Sequence, residues 1–131
     1  MRATTLVQLG AVFAAVGVAA GAISAHGLRD VIDPEYIPVF ETGARYNLFH
    51  ALGMIAIGLT KPYRPASRGL DVAAWGIVVG TVLFSGSLYG LALSGMRWLG
   101  AITPIGGLAQ LIGWIGFAVG ARRGLTPPGA R

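Results

Sequence analysis

Five side chains capable of chemistry fall within ten residues of one another: Glu41, Arg45, Tyr46, Asn47 and His50. The segment they occupy runs straight into an apolar stretch, residues 51–59. An acid one helical turn from a base could pair with it, hold an anion or pass a proton. His50 and His26, the two histidines of the chain, are the residue type that most often ligates haem iron or a metal. No further carboxylate or thiolate completes a metal set at a recognisable spacing, so two imidazoles donating to oxygens between helices is the simpler reading. For Glu41 and Arg45 the simpler reading is an ion pair near the membrane interface, with the arginine reaching toward headgroups.

The same weighing applies further along. Ser85, Ser87 and Tyr89 could line a polar pocket or make interhelical hydrogen bonds, and packing is favoured. Thr103 and Pro104, followed by Gly106 and Gly107, suggest a break in a helix. Pro104 cannot donate to the carbonyl of Gly100, which predicts a kink and a freed acceptor. Broken helices beside polar groups mark binding sites in transporters, although proline is also tolerated in ordinary membrane helices. The candidate polar cluster is therefore His26, Glu41, Arg45, Tyr46, Asn47, His50, Ser85, Tyr89, Thr103 and Pro104.

Most of the remaining chain reads as the means of positioning these residues. Of 131 residues, 54% are hydrophobic and only 11% charged, far below the roughly 25% charge of a soluble domain. Such a surface belongs in a bilayer. With no cysteine, disulfides, thiolate metal sites and cysteine nucleophiles are excluded. The formal charge of +5 would point to nucleic acid in a soluble protein. Here the basic residues sit mostly at segment ends, where they act as membrane anchors and topology signals, so nucleic acid is not an expected partner. The sequence contains no G-x-S-x-G, H-E-x-x-H or G-x-x-x-x-G-K motif, and neither catalytic residues nor a cofactor nor a metal is expected.

Four transmembrane helices are predicted within a single membrane domain, residues 1–131: about 5–26, 38–60, 70–95 and 98–121. The first apolar run also has a signal-peptide reading, but it is long for that role and the chain beyond it is itself membrane-like. For the second helix, a start near Pro38 supplies the length that the uncharged run alone lacks. Gly17/Gly21, Gly76/Gly80 and Gly86/Gly90 are small-xxx-small pairs that read as helix-packing positions. The tail beyond residue 121 is basic, contains proline and is expected to be loose.

An even number of spans puts both termini on one side. That side collects Arg2, Lys61, Arg64, Arg68, Arg122, Arg123 and Arg131, against Arg29, Arg45 and Arg97 on the other. The bias predicts cytoplasmic termini. It also places the polar residues of every helix in the outer half of the bundle and leaves the inner half plain.

Four motifs in order resemble a known family. Residues 21–28, Gly-Ala-Ile-Ser-Ala-His-Gly-Leu, are similar to its G-A-F-G-A-H-G-L signature. Residues 40–52 look like its F-x-T-A-x-x-Y-x-x-x-H-A-L, with Gly43 where alanine is usual. Residues 83–89 match L-F-S-G-S-L-Y, and residues 99–107 match L-G-x-x-T-P-x-G-G. The family is that of small four-helix inner-membrane proteins typified by YgdD and YwdK, whose function is unknown. The resemblance implies an all-α, integral membrane four-helix bundle in the bacterial inner (plasma) membrane. It supplies no substrate, reaction or cofactor. Two functions are consistent with these residues. One is a non-enzymatic accessory or scaffold subunit whose partners are the lipid bilayer and either another membrane protein or further copies of the chain. The other is a small oligomeric transporter or channel built on the polar cluster.

Overall fold

The computed structural model describes residues 1–122. The basic tail, with Arg123 and Arg131, lies outside the described residues. Four long helices follow one another: α1 (Ala3–His26), α2 (Ile37–Thr60), α3 (Arg68–Ser94) and α4 (Thr103–Ala121). Short 3₁₀ turns at Pro34–Tyr36, Lys61–Tyr63 and Arg97–Ala101 lie in the connections.

The ends of these helices follow from local chemistry. Pro38 occupies the first turn of α2, where its missing N–H costs nothing. The α3 N-terminus is capped by Ser67, whose hydroxyl accepts from the Leu70 N–H. At the other end Gly95 takes up a left-handed conformation, φ +71°, and its N–H bonds the Leu91 carbonyl. Glycine enters that region without the Cβ clash that other residues incur.

The expected kink at Pro104 does not form. The chain makes a 3₁₀ turn at Arg97–Ala101, and α4 begins only at Thr103, so Pro104 sits in its first turn. The carbonyl of Gly100 belongs to that preceding turn, and no helical hydrogen bond is broken.

The extensive contacts run α1 to α2, α2 to α3 and α3 to α4. Eleven of the 24 residues of α2 and ten of the 27 of α3 are buried, against five each in α1 and α4, so α2 and α3 form the middle of the bundle. Two core clusters stack along it. Leu6, Met54, Ile57, Ala73, Ala74 and Ile77 fill one end. Ala20, Leu28, Phe40, Ala44 and Ala92 fill the other.

Glycine sets the spacing within the two helical hairpins. A methyl group on Gly106 would lie 2.4 Å from the Phe84 backbone nitrogen, and one on Gly76 would lie 2.8 Å from both the Ala109 carbonyl oxygen and Gly113 Cα. Backbones that close leave no room for any side chain, the packing typical of membrane helices. In the α1–α2 hairpin a methyl on Gly10 would stand 2.7 Å from the Ala51 carbonyl oxygen, and one on Gly58 2.9 Å from that of Ala3.

By length and composition α1, α3 and the segment Arg97–Ala121 are apolar enough to cross a membrane. The second helix is not among them, although four spans are expected from the sequence. Its 24 residues suffice in length; polarity in its first half, from Glu41 to His50, separates it from the others. The large hydrophobic residues of the outer helices, such as Ile105, Leu108, Leu111 and Ile115 of α4, lie exposed, as they do when lipid is the solvent.

Candidate functional site

The α2 helix turns Gly43, Asn47, His50 and Met54 inward, one helical stripe at spacings of three and four. Gly43 lies against α3, where a methyl would come within 3.0 Å of the Tyr89 ring and 3.2 Å of Leu88 Cβ. That close approach lets Asn47 Nδ2 donate to the Tyr89 hydroxyl at 3.3 Å. Phe40 packs on the same tyrosine, ring centroids 4.9 Å apart. His50 is buried, and its Nδ1 lies 2.7 Å from the Tyr46 carbonyl oxygen one turn back. A neutral imidazole protonated at Nδ1 donates to that oxygen and leaves Nε2 as an acceptor. The His50 ring also faces Trp114 of α4 at 6.0 Å and stacks near Tyr46 at 5.9 Å.

On α3, Ser85 and Ser87 are buried. Ser87 Oγ lies 2.8 Å from Thr103 Oγ1, so one hydroxyl pair ties α3 to the start of α4. Thr103 thus ties the start of α4 to α3. Asn47 and Tyr89 meet between α2 and α3, His50 lies between α2 and α4, Thr103 meets Ser87 between α3 and α4, and Ser85 is buried on α3.

Other members of the predicted cluster stand apart. His26 is the last residue of α1 and is exposed, contrary to a buried imidazole. Glu41 and Arg45, though one turn apart, form no ion pair with each other, and Arg45 is exposed. Tyr46 is 40% exposed and lies against Phe84. Pro104 is exposed.

The packing glycines divide similarly. A methyl on Gly17 would touch Leu48 at 3.3 Å, and one on Gly90 would meet Leu99 Cδ1 at 3.0 Å, while Gly76 and Gly80 lie against α4. At Gly21 and Gly86 a methyl would meet nothing within 4 Å, so these two serve no close helix contact among the described residues. The small-xxx-small pattern marks a surface that permits close approach without saying which neighbour uses it.

Gln110 and Thr81 were not visible as site residues from motifs. Gln110 is 4% exposed, and its side chain packs over Gly80 of α3. Its signal is positional: one carboxamide in the apolar run 105–119. Thr81 is fully buried and donates to the Ile77 carbonyl at 2.6 Å.

At the opposite end of the bundle, Lys61 pairs with Asp71. Among the described residues no group of three or more histidine, cysteine, aspartate or glutamate side chains could hold a metal ion.

A family model described as "Protein of unknown function (DUF423)" matches residues 20–107. A "UPF0382 membrane protein" of Staphylococcus epidermidis is 45% identical over 107 residues, which are 82% of this chain and 86% of that protein. The Bacillus subtilis "UPF0382 membrane protein YwdK" is 42% identical over 113 residues, 86% of this chain and 92% of its own length. A Haemophilus influenzae "UPF0382 membrane protein" is 38% identical over 117 residues, 89% and 90% of the two chains. No solved structure matches. The matched segment takes in the α2 stripe, the α3 serines and the Thr103–Pro104 turn, and the chain belongs to the DUF423 family of membrane proteins, whose function is unknown.

Proposed function

We propose that this protein is a non-enzymatic accessory or scaffold subunit of the bacterial inner membrane, acting through helix–helix contacts with another membrane protein or a further copy of itself. The observation that carries this reading is the exposed surface of α2. Arg45 lies exposed there, unpaired with Glu41, beside Phe49 at 55% and Leu52 at 57% exposure. Arg45 is eight residues into the helix, about 12 Å from its start at ~1.5 Å per residue. A charge at that depth is normally turned toward protein or water rather than lipid. A partner helix laid along the Arg45–Phe49–Leu52 face supplies that protein. Gly21 and Gly86, open to the outside, are two further positions where another helix can come close.

The test is a photo-crosslinking side chain placed at Phe49 or Leu52, compared with one at Ile115 on α4, in native membranes. A discrete crosslinked protein at the α2 positions, absent at Ile115, is expected. Extraction in mild detergent as a lone monomer without such a product would overturn the reading.

A second reading, a small oligomeric transporter or channel, is favoured by unpaired polar atoms in the α2–α3–α4 interface: Asn47 Oδ1, Ser85 Oγ and Gln110 Nε2. Uptake or conductance in proteoliposomes that is lost in the Glu41→Ala, His50→Ala double variant supports it. Activity that survives both substitutions removes the cluster from any transport path.

A further inference from the structure

Asn47 Oδ1, Ser85 Oγ and Gln110 Nε2 are buried and have no hydrogen-bond partner among the described residues. Their residues are 1%, 2% and 4% exposed and come from three different helices. Each such atom costs about 1–3 kcal/mol if nothing meets it, and lipid offers no substitute for water.

The neighbouring hydroxyls show that these three are unusual. Thr81 donates to the Ile77 carbonyl and Ser87 to that of Phe84, each satisfied within its own helix. Ser85 has the Thr81 carbonyl one turn behind it and does not use it. Asn47 spends Nδ2 on Tyr89. Turning the amide over would satisfy Oδ1 and orphan Nδ2 instead, so one end of this side chain is left over in either orientation. Gln110 is held by its stem: a methyl on Gly80 would stand 2.7 Å from Gln110 Cγ and 2.8 Å from its backbone nitrogen. That clamp fixes the stem at the α3 surface and keeps the amide in the interface.

The three atoms also lie along one short stretch of α3. Asn47 meets it at Tyr89, Ser85 is one turn before Tyr89, and Gln110 packs at Gly80. From residue 80 to residue 89 is about 13 Å of helix. What they require is specific: Asn47 Oδ1 needs a donor, Gln110 Nε2 an acceptor, and Ser85 Oγ takes either. The buried residues among those described include no aspartate, glutamate, lysine or arginine, so an ion here would lack a counter-charge. A molecule that both donates and accepts meets all three requirements.

We infer that bound water molecules lie between the helices at these three positions, one donating to Asn47 Oδ1, one accepting from Gln110 Nε2 and one paired with Ser85 Oγ. This water is a structural part of the bundle, and it accounts for a buried asparagine, Asn47, in α2.

The test is a structure in lipid nanodiscs at a resolution that shows ordered water, for the wild-type chain and for the triple variant Asn47→Leu, Ser85→Ala, Gln110→Met. Water density at hydrogen-bond distance from these atoms in the wild type, lost in the variant, is the expected result. A dry interface in which the three side chains pair with protein groups overturns the inference, and so does density for a larger molecule in the same place. Should the variant fail to fold, the wild-type density alone decides.

Discussion

Two glycines on adjacent helices, Gly106 of α4 and Gly86 of α3, are expected to behave in opposite ways. Gly106 faces the Phe84 backbone at a would-be methyl distance of 2.4 Å, whereas Gly86 faces nothing within 4 Å. Gly106→Ala forces α3 and α4 apart and should destabilise the protein by about 1–3 kcal/mol, the usual cost of overpacking. Gly86→Ala removes backbone freedom without a clash and should leave stability unchanged or raise it by up to ~1 kcal/mol. Thermal unfolding in micelles, followed by loss of the folded species on size exclusion, distinguishes the two. The Asn47–Tyr89 hydrogen bond is a smaller matter: Tyr89→Phe should cost about 0.6 kcal/mol, the average for such bonds between membrane helices. A loss several times larger would mean that the tyrosine hydroxyl serves more than Asn47. At this scale the sequence revealed which residues are odd but not what they touch. The spacing of 43, 47, 50 and 54 identifies an inward stripe, and His50 meets Tyr46 as a one-turn relation suggests. It could not separate His26 from His50, since burial of a histidine depends on neighbours supplied by other helices.

Helix boundaries were legible wherever the signal is local. Proline in the first turn of α2, serine before α3 and glycine after it each determine a backbone conformation by their own chemistry. Pro104 carried an ambiguous signal. Proline is compatible both with a kinked helix interior and with a first turn, and the 3₁₀ turn at Arg97–Ala101 settles it as the first turn of α4. Pro104→Ala should therefore change stability by less than about 0.5 kcal/mol, because no kink depends on it. Ser67→Ala should cost more, about 1 kcal/mol. The Ser67 hydroxyl accepts from Leu70 at the start of α3 and also lies 3.4 Å from the Gly120 carbonyl at the end of α4, so its loss loosens both ends of that hairpin. Denaturation of the two single variants side by side checks the contrast; equal effects would mean that Pro104 holds a bend after all.

Taken as a whole, the described chain is strongly asymmetric in charge. One end of the bundle carries Arg2, Lys61, Arg64, Arg68 and Arg122 with Asp71 as its acid; the other carries Arg29 and Arg97 with Asp30, Asp33 and Glu35. Within the hairpins, α1 starts where α2 ends, with Gly58 against Ala3, and α3 starts where α4 ends, with Gly69 against Gly120. The basic end therefore gathers the N-terminus, the α2–α3 connection and the end of α4. The positive-inside rule predicts that end in the cytoplasm and the Val31 loop outside. Because the chain has no cysteine, single substitutions report topology cleanly. Val31→Cys is 73% exposed in its native form and should react with a membrane-impermeant maleimide in intact cells. Ala66→Cys, in the α2–α3 connection and exposed, should react only after the membrane is opened. The reverse pattern would place the acidic end in the cytoplasm. Labelling of both sites in intact cells would mean that α2, with its polar first half, does not cross the membrane at all.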